Sequence, residues 1–196
     1  MITAIILAAG RSTRMREPKM LMPWGESTVL QTVIATVKSA GIDDILVVTG
    51  GARERVESLL GESVRAVFNE MYESGEMLSS IQAGLRTVKA EAQAALIFLG
   101  DQPQVKDRTV RSVCDEFLKN KPPIVVPSYQ MQRGHPWLIT RSLWSEILEM
   151  KPPQSPRDFL NRHADKISYV TVDTPSIVED LDTPEDYRRY THTSSV

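Results

Sequence analysis

Continuous apolar runs of strand length alternate, over the first hundred residues, with segments in which apolar residues recur every three or four positions. A strand that is apolar along its whole length is buried on both faces, so these runs predict a parallel sheet covered by helices on both sides. The predicted strands are 2–8, 45–49, 64–68 and 94–99, and the helical stripes between them are 29–37, 56–60 and 77–88. The pattern predicts an α/β fold.

The pattern becomes less regular after residue 127. Residues 129–139, around the motif Arg133-Gly134-His135-Pro136, are predicted to be irregular or antiparallel. A proline-rich segment follows at 152–156, then a predicted strand at 167–172 and a terminal helix after Pro184. No repeat or linker interrupts the chain, so we expect a single domain over residues 1–196.

Composition narrows the classes of partner. The formal charge of the 196-residue chain is −2, which gives no general attraction to nucleic acid or to an anionic membrane. An anionic ligand must therefore be held by individual arginine and lysine side chains. The single cysteine, Cys114, excludes an intrachain disulfide and fits a cytoplasmic location. It lies on an apolar helical face, where we expect a core thiol and not a nucleophile.

Two candidate sites follow predicted strands, at the edge where open parallel sheets bind ligands. The loop 7–15 comes directly after the first strand, and its small residues let backbone N–H groups approach an anion. Arg14 and Lys19 add cations for phosphate oxygens. Asp101 ends the fourth strand, where its carboxylate is suited to Mg²⁺, although an aspartate there is also a common turn former.

Rival nucleotide-binding motifs are absent from the sequence. There is no G-x-x-x-x-G-K-[ST] loop, which disfavours a P-loop protein. There is also no G-x-G-x-x-G, and the second predicted strand ends in Thr49-Gly50-Gly51 without an acid for a ribose. A dinucleotide-binding Rossmann protein is therefore disfavoured.

Several motifs occur in order along nearly the whole chain. They are Leu7-Ala8-Ala9-Gly10-x-Ser12-x-Arg14-Met15-x-x-Pro18-Lys19, Asn69-x-x-Tyr72-x-x-Gly75-x-Met77-x-Ser79-Ser80-x-x-x-Gly84, Gly100-Asp101-Gln102-Pro103, Arg133-Gly134-His135-Pro136 and 180–187. Together they resemble the MobA-like nucleotidyltransferases, and within that family the molybdenum cofactor cytidylyltransferases. The resemblance implies a three-layer, Rossmann-like, mostly parallel sheet of the nucleotide-diphospho-sugar transferase type. It also implies Mg²⁺-dependent transfer of a nucleotide, with CMP from CTP favoured, to a phosphorylated acceptor such as molybdopterin.

The same resemblance assigns a role to each matching residue. The catalytic residues implied are Arg14, Lys19 and Asp101, and the implied metal ligands are Asp101 with Asp180 or Asp182. Gly134, His135 and Arg157 would face the acceptor. The implied nucleotide-binding residues are Leu7, Ala8, Ala9, Gly10, Arg11, Ser12, Arg14, Lys19, Asn69, Gly75, Ser79, Ser80 and Asp101.

Two positions depart from the family pattern. Arg16 stands where the family has glycine, and the family's Gly-Asp-x-Gly-x-Arg segment is Pro152-Pro153-Gln154-Ser155-Pro156-Arg157 here, with only the arginine in common. Two alternatives therefore stay open beside the leading one. The first is a guanylyl- or sugar-phosphate nucleotidyltransferase. The second is a non-catalytic maturation factor that holds the cofactor for a molybdenum hydroxylase.

Overall fold

A computed structural model describes residues 1–10, 17–179, 181 and 183–193. Its strands, in chain order, are β1 Ile2–Ala8, β2 Pro23–Trp24, β3 Ser27–Thr28, β4 Asp44–Thr49, β5 Val64–Phe68, β6 Ala94–Leu99, β7 Ile124–Tyr129, β8 Gln132–Arg133, β9 Trp137–Thr140 and β10 Ile167–Thr171. Its α-helices are α1 Val29–Ser39, α2 Arg53–Glu57, α3 Glu76–Thr87, α4 Asp107–Asn120, α5 Trp144–Glu149, α6 Pro156–Arg162 and α7 Pro184–Thr193.

The main sheet has the strand order β10-β7-β9-β6-β1-β4-β5, with β8 paired to β7. Strands β6, β1, β4 and β5 are parallel neighbours, as the continuous apolar runs predicted. Strand β9 lies antiparallel between β6 and β7, and β8 is antiparallel to β7. The expectation of irregular or antiparallel structure over residues 129–139 is therefore confirmed.

Helices cover both faces of this sheet and bury alternate residues of each strand. On one face, Ala4, Ile6 and Ala8 of β1 pack in a core with α1, α2 and α4. On the other, Ile5 and Leu7 pack in a core with α3, α5 and α6. The result is a mixed, mostly parallel three-layer α/β fold, which confirms the predicted fold class.

Local sequence explains where several of these helices begin. Helix α1 starts at the N-cap Thr28, whose side chain accepts a hydrogen bond from the Gln31 backbone N–H. Helix α6 starts at the N-cap Ser155 in a full capping box with Asp158, and Pro156 occupies its first turn. The sequence reading gave no helix here, because the prolines suggested only a loop.

One further sequence expectation is confirmed in the cores. Cys114 is buried, and burial raises the pKa of its thiol to about 12, so it is a core residue. Trp137 and Trp144 are also buried, Trp137 in a stacked contact with Phe159. Within the described residues, no helix is long and apolar enough to cross a bilayer.

Candidate functional site

The loop that follows β1 begins at the carboxyl edge of the sheet, held closely between two neighbouring strand ends. A Cβ at Gly50 would lie 2.5 Å from the Ala9 carbonyl oxygen, and one at Gly100 would lie 2.8 Å from that of Leu7. Only glycine allows backbone segments to approach so closely. Gly100 also donates its N–H to the Leu7 carbonyl at 2.9 Å. Leu7, Ala8 and Ala9 are therefore buried at a fixed position, and Gly10 is exposed beyond them.

Lys19 and Asp101 meet at this edge. Lys19 begins a short 3₁₀ turn that is anchored by the buried side chain of Met20, and Asp101 follows β6. The ammonium Nζ lies 3.5 Å from a carboxylate oxygen of Asp101, and the two side chains are 12% and 26% exposed. A cation and a hard oxygen donor thus share one partly shielded position beside the β1 loop, a chemistry suited to phosphate groups and Mg²⁺.

Asn69, Ser79 and Ser80 form one hydrogen-bonded group beneath the start of α3. The Asn69 amide donates to the Ser79 and Ser80 hydroxyls at 2.8 and 3.0 Å, and its oxygen accepts from the Met71 N–H at 3.0 Å. Asn69 is only 2% exposed, and its hydrogen bonds join the turn after β5 to the first turns of α3. That these residues contact the nucleoside stays a prediction.

A cavity of about 1150 Å³ lies beside this edge. Its lining includes Gly75 and Met77 at the start of α3, Gln102 shortly after β6, and residues 133–135 and 152–157. The three predicted acceptor residues, Gly134, His135 and Arg157, all line it. Because Gln102 is the neighbour of Asp101, the cavity adjoins the Lys19–Asp101 pair along the chain.

The Gly134–His135 segment is fixed by its backbone. Gly134 donates to the Pro127 carbonyl at 3.0 Å, and His135 donates to the Ile177 carbonyl at 3.1 Å. The His135 Nε2 is shielded from solvent and has no hydrogen-bond partner in the described part of the chain. Burial lowers the pKa of His135 to about 4, so its imidazole is neutral near pH 7. It can offer a ligand a neutral hydrogen bond but no charge.

Arg133, to which the sequence reading assigned no role, also lines the cavity. Its Nε donates to the Tyr169 hydroxyl at 2.8 Å, and one Nη donates to the Asn161 side-chain oxygen at 2.8 Å. Its guanidinium carbon lies 5.6 Å from the centroid of the Tyr169 ring. The only signal in the sequence was its place directly before Gly134-His135-Pro136.

The segment before the terminal helix is tied to the end of β6. The carbonyl of Glu179 accepts hydrogen bonds from the side-chain amides of Gln102 and Gln104 at 3.3 and 2.6 Å.

Five predicted site residues, Arg11, Ser12, Arg14, Asp180 and Asp182, lie outside the described residues, as does Arg16. Among the residues that are described, no group of three or more histidine, cysteine, aspartate or glutamate side chains could hold a metal ion. The predicted metal set is therefore represented only by Asp101.

Comparison with known proteins identifies the family. The model of the MobA-like NTP transferase domain matches residues 4–167. The chain belongs to this family. It is 29% identical over 195 residues to the molybdenum cofactor cytidylyltransferase of Escherichia coli K12, and the alignment covers 97% of both proteins. It is also 33% identical over 135 residues to the bifunctional protein GlmU of Syntrophomonas wolfei, of which the chain covers only 29%.

Solved structures agree with the family and the fold. Rv0371c from Mycobacterium tuberculosis H37Rv superposes with a TM-score of 0.86 at 30% identity, over 97% of both chains. A manganese complex of Rv0371c superposes with a TM-score of 0.81 at 29% identity, over 100% of this chain and 99% of that one. The sheet is therefore of the nucleotide-diphospho-sugar transferase type, as expected.

Proposed function

We propose that this protein transfers CMP from CTP to a phosphorylated acceptor, molybdopterin, and releases pyrophosphate. The observation that carries the proposal is the Lys19–Asp101 pair beside the β1 loop, next to a cavity with its own arginines. An enzyme that joins two anionic substrates needs this combination of a triphosphate site and an adjoining acceptor site. The full-length similarity to a molybdenum cofactor cytidylyltransferase supports this choice of substrates.

The residues of the chain have separate tasks in this reaction. The amides of the β1 loop and the ammonium of Lys19, together with Arg14, would bind the triphosphate oxygens. Asp101, with Asp180 or Asp182, would hold Mg²⁺. A carboxylate such as that of Asp101 is the hard oxygen donor that Mg²⁺ prefers. When bound, the metal would neutralise charge on the phosphate oxygens. The acceptor phosphate would attack the α-phosphorus in line, without a covalent enzyme intermediate.

The preference for cytidine rests on the Ala8-Ala9 pair. Both side chains are buried at the end of β1, packed from both flanks by Gly50 and Gly100. We infer that glycine at either position would leave more room for a larger base. We therefore expect an Ala9→Gly variant to gain activity with GTP relative to CTP.

A direct assay tests the proposal. The protein is incubated with Mg²⁺, molybdopterin and each nucleoside triphosphate in turn, and pyrophosphate release is measured, with Asp101→Asn as the matched control. Faster release with CTP than with GTP, and none from the control, supports the proposal. Faster release with GTP or with a sugar phosphate as acceptor would assign the guanylyl- or sugar-phosphate alternative. Binding of molybdopterin without any release would favour the non-catalytic maturation factor.

A further inference from the structure

In the part of the chain that the structure describes, the hydrogen-bond partners of the Arg133 guanidinium are neutral groups. Asn161 of α6 and Tyr169 of β10 accept from it at 2.8 Å each, and no carboxylate of the described residues forms an ion pair with it. These two bonds use two of its five N–H donors. A half-buried cation that is oriented by neutral partners keeps its charge for a ligand, because no carboxylate among the described residues is paired with it.

The charges around the cavity favour an anion at this position. Among the described residues that line the cavity, the charged side chains are Arg133, Arg157 and Glu76. Arg133 and Arg157 belong to the wall formed by β8 and α6, and Glu76 belongs to the first turn of α3. His135 is neutral near pH 7 and adds no charge. The β8–α6 wall is therefore the cationic side of the cavity.

We infer that Arg133, held by Asn161 and Tyr169, binds a phosphate group of the acceptor substrate. The inference rests on the proposed function for the identity of that substrate, but the site is defined by its own geometry. A planar guanidinium with adjacent N–H donors matches two oxygens of a phosphate, which a lysine at this position would not. Asn161 and Tyr169 are positioning residues, since each contacts Arg133 and orients it.

A purely structural role for Arg133 makes a different prediction. Arg133 also joins β8 to β10 and α6, so its loss could change stability alone. Asn161→Asp separates the two roles, because a carboxylate 2.8 Å from the guanidinium holds the arginine in place but cancels its charge. A structural role predicts equal or higher thermal stability with no change in anion binding. A phosphate site predicts that anion affinity falls while the fold is kept.

The test measures binding of inorganic phosphate to the full-length chain by phosphorus NMR, without turnover. We expect Arg133→Gln to weaken phosphate binding by about tenfold or more, since one charge-assisted contact is lost. Asn161→Asp should weaken it similarly at an unchanged or higher melting temperature. Arg108→Gln removes an exposed arginine paired with Asp173 and should leave affinity unchanged. If Arg133→Gln does not fold, the Asn161→Asp comparison decides the question.

A second titration, with excess CTP and Mg²⁺, separates the acceptor phosphate from the triphosphate of the nucleotide. Phosphate that still binds, and still depends on Arg133, supports an acceptor site. Displacement of that phosphate by CTP, or wild-type affinity in Arg133→Gln or Asn161→Asp, would overturn the inference. Failure of the pyrophosphate-release assay refutes only the proposed reaction, because this measurement needs no catalysis.

Discussion

Gly134→Ala should destabilise the protein because its Cα is packed against another backbone segment. An added Cβ would lie 2.3 Å from the Ile177 carbonyl oxygen and 2.7 Å from the Ile177 carbonyl carbon. Neither atom belongs to a side chain that can rotate away. Relief of this overlap would separate the two segments and stretch the Gly134–Pro127 and His135–Ile177 hydrogen bonds. Overpacking costs about 1–3 kcal/mol and the two stretched hydrogen bonds together about 1 kcal/mol more, so we expect a loss of about 2–4 kcal/mol.

Urea unfolding followed by circular dichroism measures this loss, which corresponds to a melting temperature lower by about 5–15 °C for a chain of this size. Gly61→Ala is the matched control, because nothing lies within 4 Å of its added Cβ and its φ is ordinary. We expect that control to stay within about 0.5 kcal/mol of the wild type. Equal stability of Gly134→Ala and Gly61→Ala would show that the Gly134–Ile177 contact is not close-packed in solution.

Three further predictions concern the site. Asp101→Asn should abolish pyrophosphate release with little change in unfolding free energy, and wild-type turnover would remove Asp101 from the mechanism. Arg157→Ala should raise the KM for the acceptor and leave that for CTP unchanged, whereas a change for CTP alone would misplace the acceptor site. The pKa of His135 is about 4 when folded and 6.5 ordinarily, so the unfolded chain gains the proton first as pH falls from 6.5 to 4. The free energy of unfolding of the wild type should therefore fall by up to about 3 kcal/mol more than that of His135→Asn over this range. An equal fall for both proteins, measured by urea unfolding at pH 6.5 and pH 4, would contradict this.

The parallel half of the sheet was predictable because its strands are buried on both faces. Continuous apolar runs at β1, β5 and β6 matched the observed strands residue for residue, and β4 began one residue earlier than expected. The position of β9 between β6 and β7 was not predictable, since a four-residue strand carries no period that specifies its neighbours. The sequence indicated irregular or antiparallel structure here only because the apolar pattern is less regular in this region.

Helix α6 was missed because proline outweighed the capping signal. Ser155 and Asp158 have the spacing of a capping box, and Pro156 is favourable in the first turn of a helix. In the sequence, residues 152–156 stood out only as a proline-rich segment in place of the family's glycine-containing one. The structure places Arg157 on the first turn of α6, which fixes its backbone while its side chain stays exposed at the cavity.

Part of the candidate site was predictable from the ends of the parallel strands. Asp101 was chosen because it follows β6, and Lys19 because it supplies a cation after the β1 loop, and the two lie 3.5 Å apart. Arg133 could not be assigned in the same way, because its orientation depends on Asn161 and Tyr169, which are 28 and 36 residues further along the chain. Neither partner belongs to a motif, and only the tertiary fold brings the three side chains together.

The Lys19–Asp101 pair and the Arg133 group differ in how far substitutions can change them without disturbing the sheet. The Lys19–Asp101 pair depends on the register of β1 and β6 at the centre of the sheet, where a shift of one residue would move every side chain to the other face. The Arg133 group depends on α6, on the edge strand β10 and on β8, which pairs with β7 beside that edge, so it lies away from the central strands. Substitutions among Arg133, Asn161 and Tyr169 can therefore change the cationic wall without disturbing the central strands. We expect specificity for the acceptor to be easier to alter by mutation than binding of the triphosphate, because only the triphosphate site is part of the central sheet.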